Sequence, residues 1–216
     1  EITTRLVGSE MCIRDRVCSV LSLSRIENGS AGVSPVTFQA LMAHAGASCE
    51  VYPIFANRTD FDCFYTLNRA RFYLGSWQLS QAYKELNKLE EWNFADNKLY
   101  YQEYLYLNGR LQVRSGCADH HALYGLFSSA LHITRPEIDY SDFHHLLLSI
   151  VEIELLIGVA QELLYLGKSD LCYNICSQIA SYLANAEIDY LKKDYLYAEY
   201  AIVYTKYLSL IHISEP

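Results

Sequence analysis

Histidine, cysteine and glutamate side chains can bind metals or transfer protons, and all three types occur as closely spaced pairs in this sequence. The histidine pairs at 120–121 and 144–145 are adjacent, and neighbours on a helix point about 100° apart, so neither pair forms a chelating face. Cys172 and Cys176 share a helix face, but no histidine or carboxylate follows at a convincing spacing. The sequence therefore predicts neither a bound metal nor another cofactor.

Glu152 and Glu154 interrupt a long apolar segment, residues 143–167. Two positions apart on a helix, they point to opposite sides and do not form a paired acid and base. The sequence also contains no GxSxG, P-loop, GxGxxG or HExxH pattern. We therefore predict that the chain is not an enzyme and has no catalytic residue.

The composition is that of a globular, helical protein. Of the 216 residues, 51% are hydrophobic, 19% are charged and only four are proline. The formal net charge of −8 argues against a protein that coats nucleic acid by bulk electrostatics. Seven scattered cysteines without a CxxC pair indicate a reduced, cytoplasmic location. No run of about 18 uncharged apolar residues is present, so we expect no membrane partner.

Both ends of the chain resemble translated sequencing-adapter DNA. The strings that carry the resemblance are LVGSEMCIRDR near the start and SLIHISEP at the end. Residues 1–16 also show no sustained helical stripe. We therefore expect 1–16 and 209–216 to be non-native, and we expect the natural protein to extend beyond both.

The segment CSVLSLSRIENG is typical of a short helix with a defined start and stop. Ser19 is a suitable N-cap, and Gly29 can adopt the positive φ that ends the helix. Leu23 and Ile26 lie three apart and would face a core. After the loop GSAGV, the Ser-Pro pair 34–35 begins a second helix. Its apolar stripe and its closing glycine are Phe38, Leu41, Met42, Ala45 and Gly46.

This helix pair, with LSRIENG followed by SPVTFQALM, resembles the helix-turn-helix of bacterial Xre/Cro-type repressors. The resemblance implies that the first helix is the recognition helix and that Glu27 is a structural acid tied to helices upstream. The residues it places near the major groove or its phosphates are Ser19, Leu21, Ser22 and Arg25. An unrelated helical hairpin is the alternative.

The family's domain has two helices before the recognition helix, whereas this chain has the adapter-like segment there. Those helices supply much of the small core and several phosphate contacts. We therefore expect 17–52 to be a partial DNA-binding domain. The parent protein would bind operator DNA, and this chain would have lost that binding or would retain it weakly.

From about residue 53 onward, the pattern predicts helices joined by short loops, with neighbouring helices antiparallel. YLGSWQLSQAY resembles YLGKSDLCYNI, which places Gly75 and Gly167 in equivalent tight turns, and EIDY also occurs twice. Helical hairpins cover their apolar faces by stacking, so we predict an α-solenoid over 53–208. The predicted helices are Thr59–Leu74, Trp77–Trp92, Asn97–Arg114, Ala118–Thr134, Ser141–Leu166, Ser169–Ala186 and Ile188–Leu208.

This region resembles the tetratricopeptide-like (TPR-like) repeats that follow an Xre-type domain in Gram-positive, peptide-responsive regulators of the Rgg and PlcR kind. SSALHITRPEIDY and LLLSIVEIELLIGVAQELLYLGKSDLCYNICSQIASYL carry most of the resemblance. It implies an all-α protein, in which a helix-turn-helix remnant precedes an α-solenoid of TPR-like hairpins. It also implies a cytoplasmic, homodimeric transcription regulator that holds a short signalling peptide on the concave face of its repeats.

Side-chain amides would bond the peptide backbone, and apolar pockets would hold its side chains. Asparagine is mildly unfavourable inside helices, so the first candidates are Asn68, Asn108 and Asn174. The alternative is an asparagine that faces solvent or bonds the carbonyl four residues back. A tyrosine stripe late in the chain suits a groove wall or a dimer seam, with core packing as the alternative; it consists of Tyr197, Tyr200 and Tyr204.

Two functions stay open at this point. The first is a truncated transcription regulator whose repeats sense a peptide, form a dimer, or both. The second is a protein-binding scaffold of TPR-like repeats with no signalling ligand. The pairing of the LSRIENG motif with the repeats favours the first.

We expect this chain to bind the parent's operator weakly or not at all, because the helices that would pack against Leu23 and Ile26 are missing. A gel shift that compares it with a version carrying a restored helix-turn-helix measures the difference. Equally tight, sequence-specific binding by both chains would contradict the expectation.

Overall fold

A computed structural model describes residues 17–44, 58–94, 97–143 and 145–214. Within these ranges the chain is all-helical and contains no strand, which confirms the predicted all-α class. No helix in the described ranges is both long enough and apolar enough to cross a membrane. The helices are α1 (Val20–Glu27), α2 (Pro35–His44), α3 (Arg58–Gly75), α4 (Leu79–Asn87), α5 (Lys98–Arg114), α6 (His120–His132), α7 (Ile150–Tyr165), α8 (Ser169–Asn185) and α9 (Tyr190–Ser214).

From α3 onward, each helix packs against the next one along the chain. The odd-numbered helices also contact one another in a row, α3 with α5, α5 with α7, and α7 with α9. The even-numbered helices α4, α6 and α8 fill the positions between them. One continuous apolar core therefore extends from Cys63 in α3 to Val203 in α9.

The two short N-terminal helices begin where the sequence predicts. The side chain of Ser19 accepts a hydrogen bond from the Ser22 amide at 3.1 Å, and Ser34 accepts one from the Thr37 amide at 3.1 Å. Gly29 ends α1 with a φ of 67°, as predicted. Ala45, Gly46 and residues 1–16 lie outside the described residues.

The predicted helix Ser141–Leu166 is wrong at its start, because α7 begins only at Ile150. Side chains of α8 hold the preceding segment in a non-helical path: Gln178 accepts from the Phe143 amide at 2.6 Å, and the Tyr182 hydroxyl accepts from the Leu148 amide at 2.9 Å. A capping box between Ser149 and Glu152 then starts the helix.

Two other predicted ends also differ from the structure. The predicted helix Trp77–Trp92 ends at Asn87, because three-residue turns such as Leu89 N to Leu86 O continue the chain. The last helix, predicted to end at Leu208, continues to Ser214 without a break at 209. The remaining predicted ends agree with the structure within about two residues.

The three hairpins of the repeat region turn in the same way. In each, one residue adopts a left-handed φ, namely 58° at Trp77, 81° at Gly116 and 74° at Gly167. The next amide then bonds the carbonyl five residues back, as in Gln78 to Tyr73. Gly167 lies in its tight turn, as the sequence predicts. Gly75 does not occupy the equivalent place, because it is the last residue of α3 and Trp77 takes the left-handed conformation.

A single buried ring determines how closely three helices approach. Phe127 of α6 lies between Gly109 of α5 and Gly158 of α7. A methyl group added to Gly109 would lie 2.8 Å from Cζ of Phe127, and one added to Gly158 would lie 3.1 Å from Cδ2. The two glycines therefore let both helices pack directly on the faces of this ring.

We expect Gly109→Ala to destabilise the protein by about 1–3 kcal/mol, because the added methyl displaces Phe127 in a filled core. Gly125→Ala is the matched control, because a methyl there meets nothing within 4 Å. That change should stabilise the protein by about 0.5–1 kcal/mol through helix propensity. Urea unfolding measures both, and equal effects of the two variants would contradict this account of the core.

Candidate ligand-binding cavity

A cavity of about 930 Å³ lies along the row of odd-numbered helices. Side chains of α2, α3, α5, α7, α8 and α9 line it, together with residues 145–149 and the turn between α8 and α9. Its volume lies within the range typical of ligand sites. Leucine, valine and isoleucine side chains form much of its wall, and charged groups concentrate on its floor.

A cluster of three charged side chains from three helices forms the floor. Arg71 of α3 contacts Glu103 of α5 at 3.0 Å and Glu154 of α7 at 2.5 Å. The Arg71 side chain is 30% exposed and the Glu154 side chain only 1%. Burial alone lowers the pKa of Arg71, but the two carboxylates raise it well above its ordinary value, so the guanidinium stays charged.

A second charged cluster lies nearby on α5 and α9. Arg110 contacts Glu199 at 2.6 Å, and Arg114 lies 3.8 Å from the same carboxylate. Arg114 also donates to the Leu74 carbonyl, and its guanidinium lies 4.9 Å from the centre of the Trp77 ring. The two clusters together link the first and last helices of the row.

Tyr106 and Tyr195 lie between the two charged clusters. Burial, and then the Glu154 charge, raise the pKa of Tyr106 well above its ordinary value. The same two causes raise the pKa of Tyr195 to about 12. Both hydroxyls therefore stay protonated at neutral pH and act as hydrogen-bonding groups, not as bases.

One of the six predicted peptide-contacting residues, Asn68, lines this cavity. Its amide donates to the Phe64 carbonyl at 2.9 Å, the local bond that was the alternative for a helical asparagine. Asn108 makes the same kind of bond, to the Tyr104 carbonyl at 3.2 Å. Asn174 is an exposed residue of α8, away from the cavity.

The predicted tyrosine stripe lies at the contact between α8 and α9 and does not line the cavity. Tyr197, Tyr200 and Tyr204 are partly buried and pack against the core. The rings of Tyr200 and Tyr204 stack at 5.6 Å, and Tyr204 stacks on Tyr207 at 6.1 Å. This arrangement agrees with core packing, which was the alternative to a groove wall.

The candidate DNA-contacting residues lie on α1, a helix with no buried residue. The side chains of Leu21, Ser22 and Arg25 are exposed, and Leu21 reaches 64% exposure. Glu27 is exposed as well, while Leu23 and Ile26 are half-buried. The outer face of α1 is therefore open to a partner.

Helix α2 joins this N-terminal unit to the repeats. Asn97, the N-cap of α5, donates from its side chain to Ser34 at 3.3 Å. Val36 and Ala40 of α2 line the cavity beside Leu99 of α5. The cavity is thus shared between α2 and the helical row.

The spacing of the histidines along the chain does not predict the contact between the His120 ring and the Glu162 carboxylate. The His120 Nδ1 atom lies 2.7 Å from an oxygen of Glu162, a fully buried carboxylate, and its ring stacks on Tyr165 at 4.3 Å. Glu162 interrupts the apolar segment 143–167, and a carboxylate in such a segment signals that a partner must be present. The position of that partner depends on the fold.

Comparisons with protein-family models, with curated proteins and with solved structures each found no match to this chain. The assignment of a function therefore depends on the chain's own residues. Two features of the molecule bear on it, the exposed α1 helix and the cavity with its charged floor.

We expect Arg71→Met to destabilise the protein by about 3 kcal/mol at neutral pH, because it leaves Glu103 and Glu154 without their cation. Thermal unfolding at neutral pH measures this loss.

Arg58→Met is the matched control, because Arg58 is almost fully exposed and lies 3.8 Å from an exposed carboxylate. Its stability should match that of the unmodified chain. Equal stability of Arg71→Met and Arg58→Met would contradict the role of Arg71 in holding the floor.

Proposed function

We propose that this chain is part of a bacterial transcription regulator, in which a helix-turn-helix reads operator DNA and a TPR-like α-solenoid binds a short peptide. The observation that carries the proposal is the cavity of about 930 Å³, which the helical row shares with α2. In the parent protein, Ser19, Leu21, Ser22 and Arg25 contact the operator.

The proposal for α1 is supported by its start, its stop and its exposure. A recognition helix needs a capped N-terminal end whose side chains stand free to meet base edges and phosphates. Ser19 caps α1, Gly29 ends it, and Leu21 and Arg25 are exposed between them. Arg25 supplies the positive charge that a phosphate contact requires.

The proposal for the repeats is supported by the order of their helix contacts. Stacked hairpins pack each first helix on the first helix of the next hairpin, and a solenoid grows by repeating that step. Helices α3, α5, α7 and α9 pack in this order. The three hairpins also share the same kind of turn, each with one left-handed residue. Such a row presents one extended surface, on which the cavity lies.

A peptide suits this cavity better than a compact metabolite. Six of the described helices line the cavity, and its wall contains both apolar side chains and polar groups that can bond a peptide backbone. Asn68 stands among those polar groups. A bound peptide would also touch Val36 and Ala40, and would thereby bias the position of the α1–α2 pair.

The scaffold function has its own support in α9. This helix carries exposed apolar side chains that do not line the cavity, with Tyr190 at 69% and Ile202 at 50% exposure. Exposed apolar side chains of this kind suit a protein partner, and a second copy of the chain would give the proposed homodimer.

Titration of the chain with the peptide encoded by a small neighbouring open reading frame tests the sensing function. We expect binding at micromolar concentration, and we expect Asn68→Ala to weaken it by about fivefold or more through loss of a backbone bond. Isothermal titration calorimetry measures both.

Asn174→Ala is the matched control, because Asn174 is a helical asparagine outside the cavity. It should bind the peptide as the unmodified chain does. Absence of binding by the unmodified chain, with its dimer intact in light scattering, would favour the scaffold. Equal losses of affinity for the two variants would show that the peptide does not bind in this cavity.

A further inference from the structure

We propose that the cavity floor recognises a positively charged group of the bound peptide, with the carboxylate of Glu154 as its acceptor. The charged group is the ammonium or guanidinium of a basic residue, or the free amino terminus. This inference depends on the proposed peptide binding and adds the chemistry of the ligand to it.

The first observation is an incomplete hydrogen-bonding shell. One oxygen of Glu154 accepts from Arg71 at 2.5 Å, while the other, Oε2, is buried and has no hydrogen-bond partner among the residues that the structure describes. A buried carboxylate oxygen without a hydrogen-bond donor raises the free energy of the protein, so a ligand that supplies a donor there is stabilised. The Glu154 side chain lines the cavity, so a ligand bound there is placed to supply the missing donor.

The second observation is the charge of the floor. Glu103 and Glu154 share the single guanidinium of Arg71, so this cluster carries one excess negative charge. A ligand cation placed beside Glu154 neutralises that charge in a partly desolvated setting, where ion pairs are stronger than in water. A ligand carboxylate at the same place would meet repulsion from both glutamates.

Both other arginines that line the cavity are engaged elsewhere. Arg110 is paired with Glu199, and Arg114 bonds the Leu74 carbonyl and lies over an indole ring. Lys192 belongs to the first turn of α9, next to the acidic residues at 187 and 189, which also line the cavity. Among the ion pairs of the described residues, Arg71 therefore supplies the one cation that Glu103 and Glu154 contact.

Selection from random peptides tests the proposal without knowledge of the natural ligand. The full chain is incubated with two synthetic hexapeptide libraries, one acetylated at the amino terminus and one with free amino groups, and the retained peptides are sequenced. We expect retained peptides to be enriched in lysine and arginine, or to come only from the library with free amino termini. The two libraries thus separate a basic side chain from a terminal ammonium.

Glu154→Gln should lose this preference, because the amide keeps the shape of the side chain but removes its charge. Glu85→Gln is the matched control: Glu85 is also buried and paired, with Arg69 at 3.0 Å and Lys88 at 2.7 Å, but it does not line the cavity. The control should retain the preference of the unmodified chain. If the unmodified chain and Glu154→Gln retained peptides with the same enrichment in cationic groups, the role of Glu154 would be overturned.

A second measurement needs no variant of the protein. Replacing the cationic group of a retained peptide, lysine by norleucine or the free amino terminus by an acetylated one, should weaken binding to the unmodified chain by about tenfold, the worth of one charged hydrogen bond. Equal affinity of the two peptides would overturn the inference and leave peptide binding standing. Retention of no peptide from either library would instead overturn peptide binding itself, and the inference with it.

Discussion

The contact of one phenylalanine ring with two glycines is the constraint on which the rest of this structure depends. Phe127 occupies the space that side chains at 109 and 158 would otherwise fill, so α5, α6 and α7 approach more closely than larger residues would allow. Two of these helices carry residues of the cavity floor, with Tyr106 and Arg110 on α5 and Glu154 on α7. The contact of Phe127 with the two glycines therefore fixes the distance between α5 and α7, and with it the spacing of the charged groups on the cavity floor.

Electrostatics then act within that fixed frame. Arg71 joins α3 to α5 and α7, and Arg110 joins α5 to α9, so ion pairs link all four odd-numbered helices of the row. Buried ion pairs add little net stability, because removing their charges from water costs about as much as their attraction returns. Their value lies in position, since a charge held by three helices cannot move without moving the helices.

The sequence predicted most of the local structure, because the signals for local structure are local. Ser19, Ser34 and Asn97 start their helices where N-caps are expected, and Gly29 and Gly167 stop theirs. The start of α7 was missed although a Ser-x-x-Glu capping signal stands at 149–152. The apolar run before it has a helical appearance, and only its contacts with α8 hold it in another path.

The cavity floor was not predictable in the same way. Arg71 and Glu154 are 83 positions apart, and no spacing rule connects residues at that distance. A carboxylate within the apolar segment of α7 does signal a buried partner, but it does not say which cation supplies it. Helical asparagines were a weaker signal, because a bond to the carbonyl four residues back already accounts for Asn68 and Asn108.

The left-handed residue of the first hairpin also gives the molecule an optical label in a useful place. Trp77 is one of two tryptophans, and its indole lies against Arg114, which in turn lies beside Glu199 of the last helix. The colour and yield of indole emission respond to a neighbouring charge. In a variant without Trp92, fluorescence would therefore report whether Arg114 keeps its place between the first hairpin and the last helix, with no dye attached.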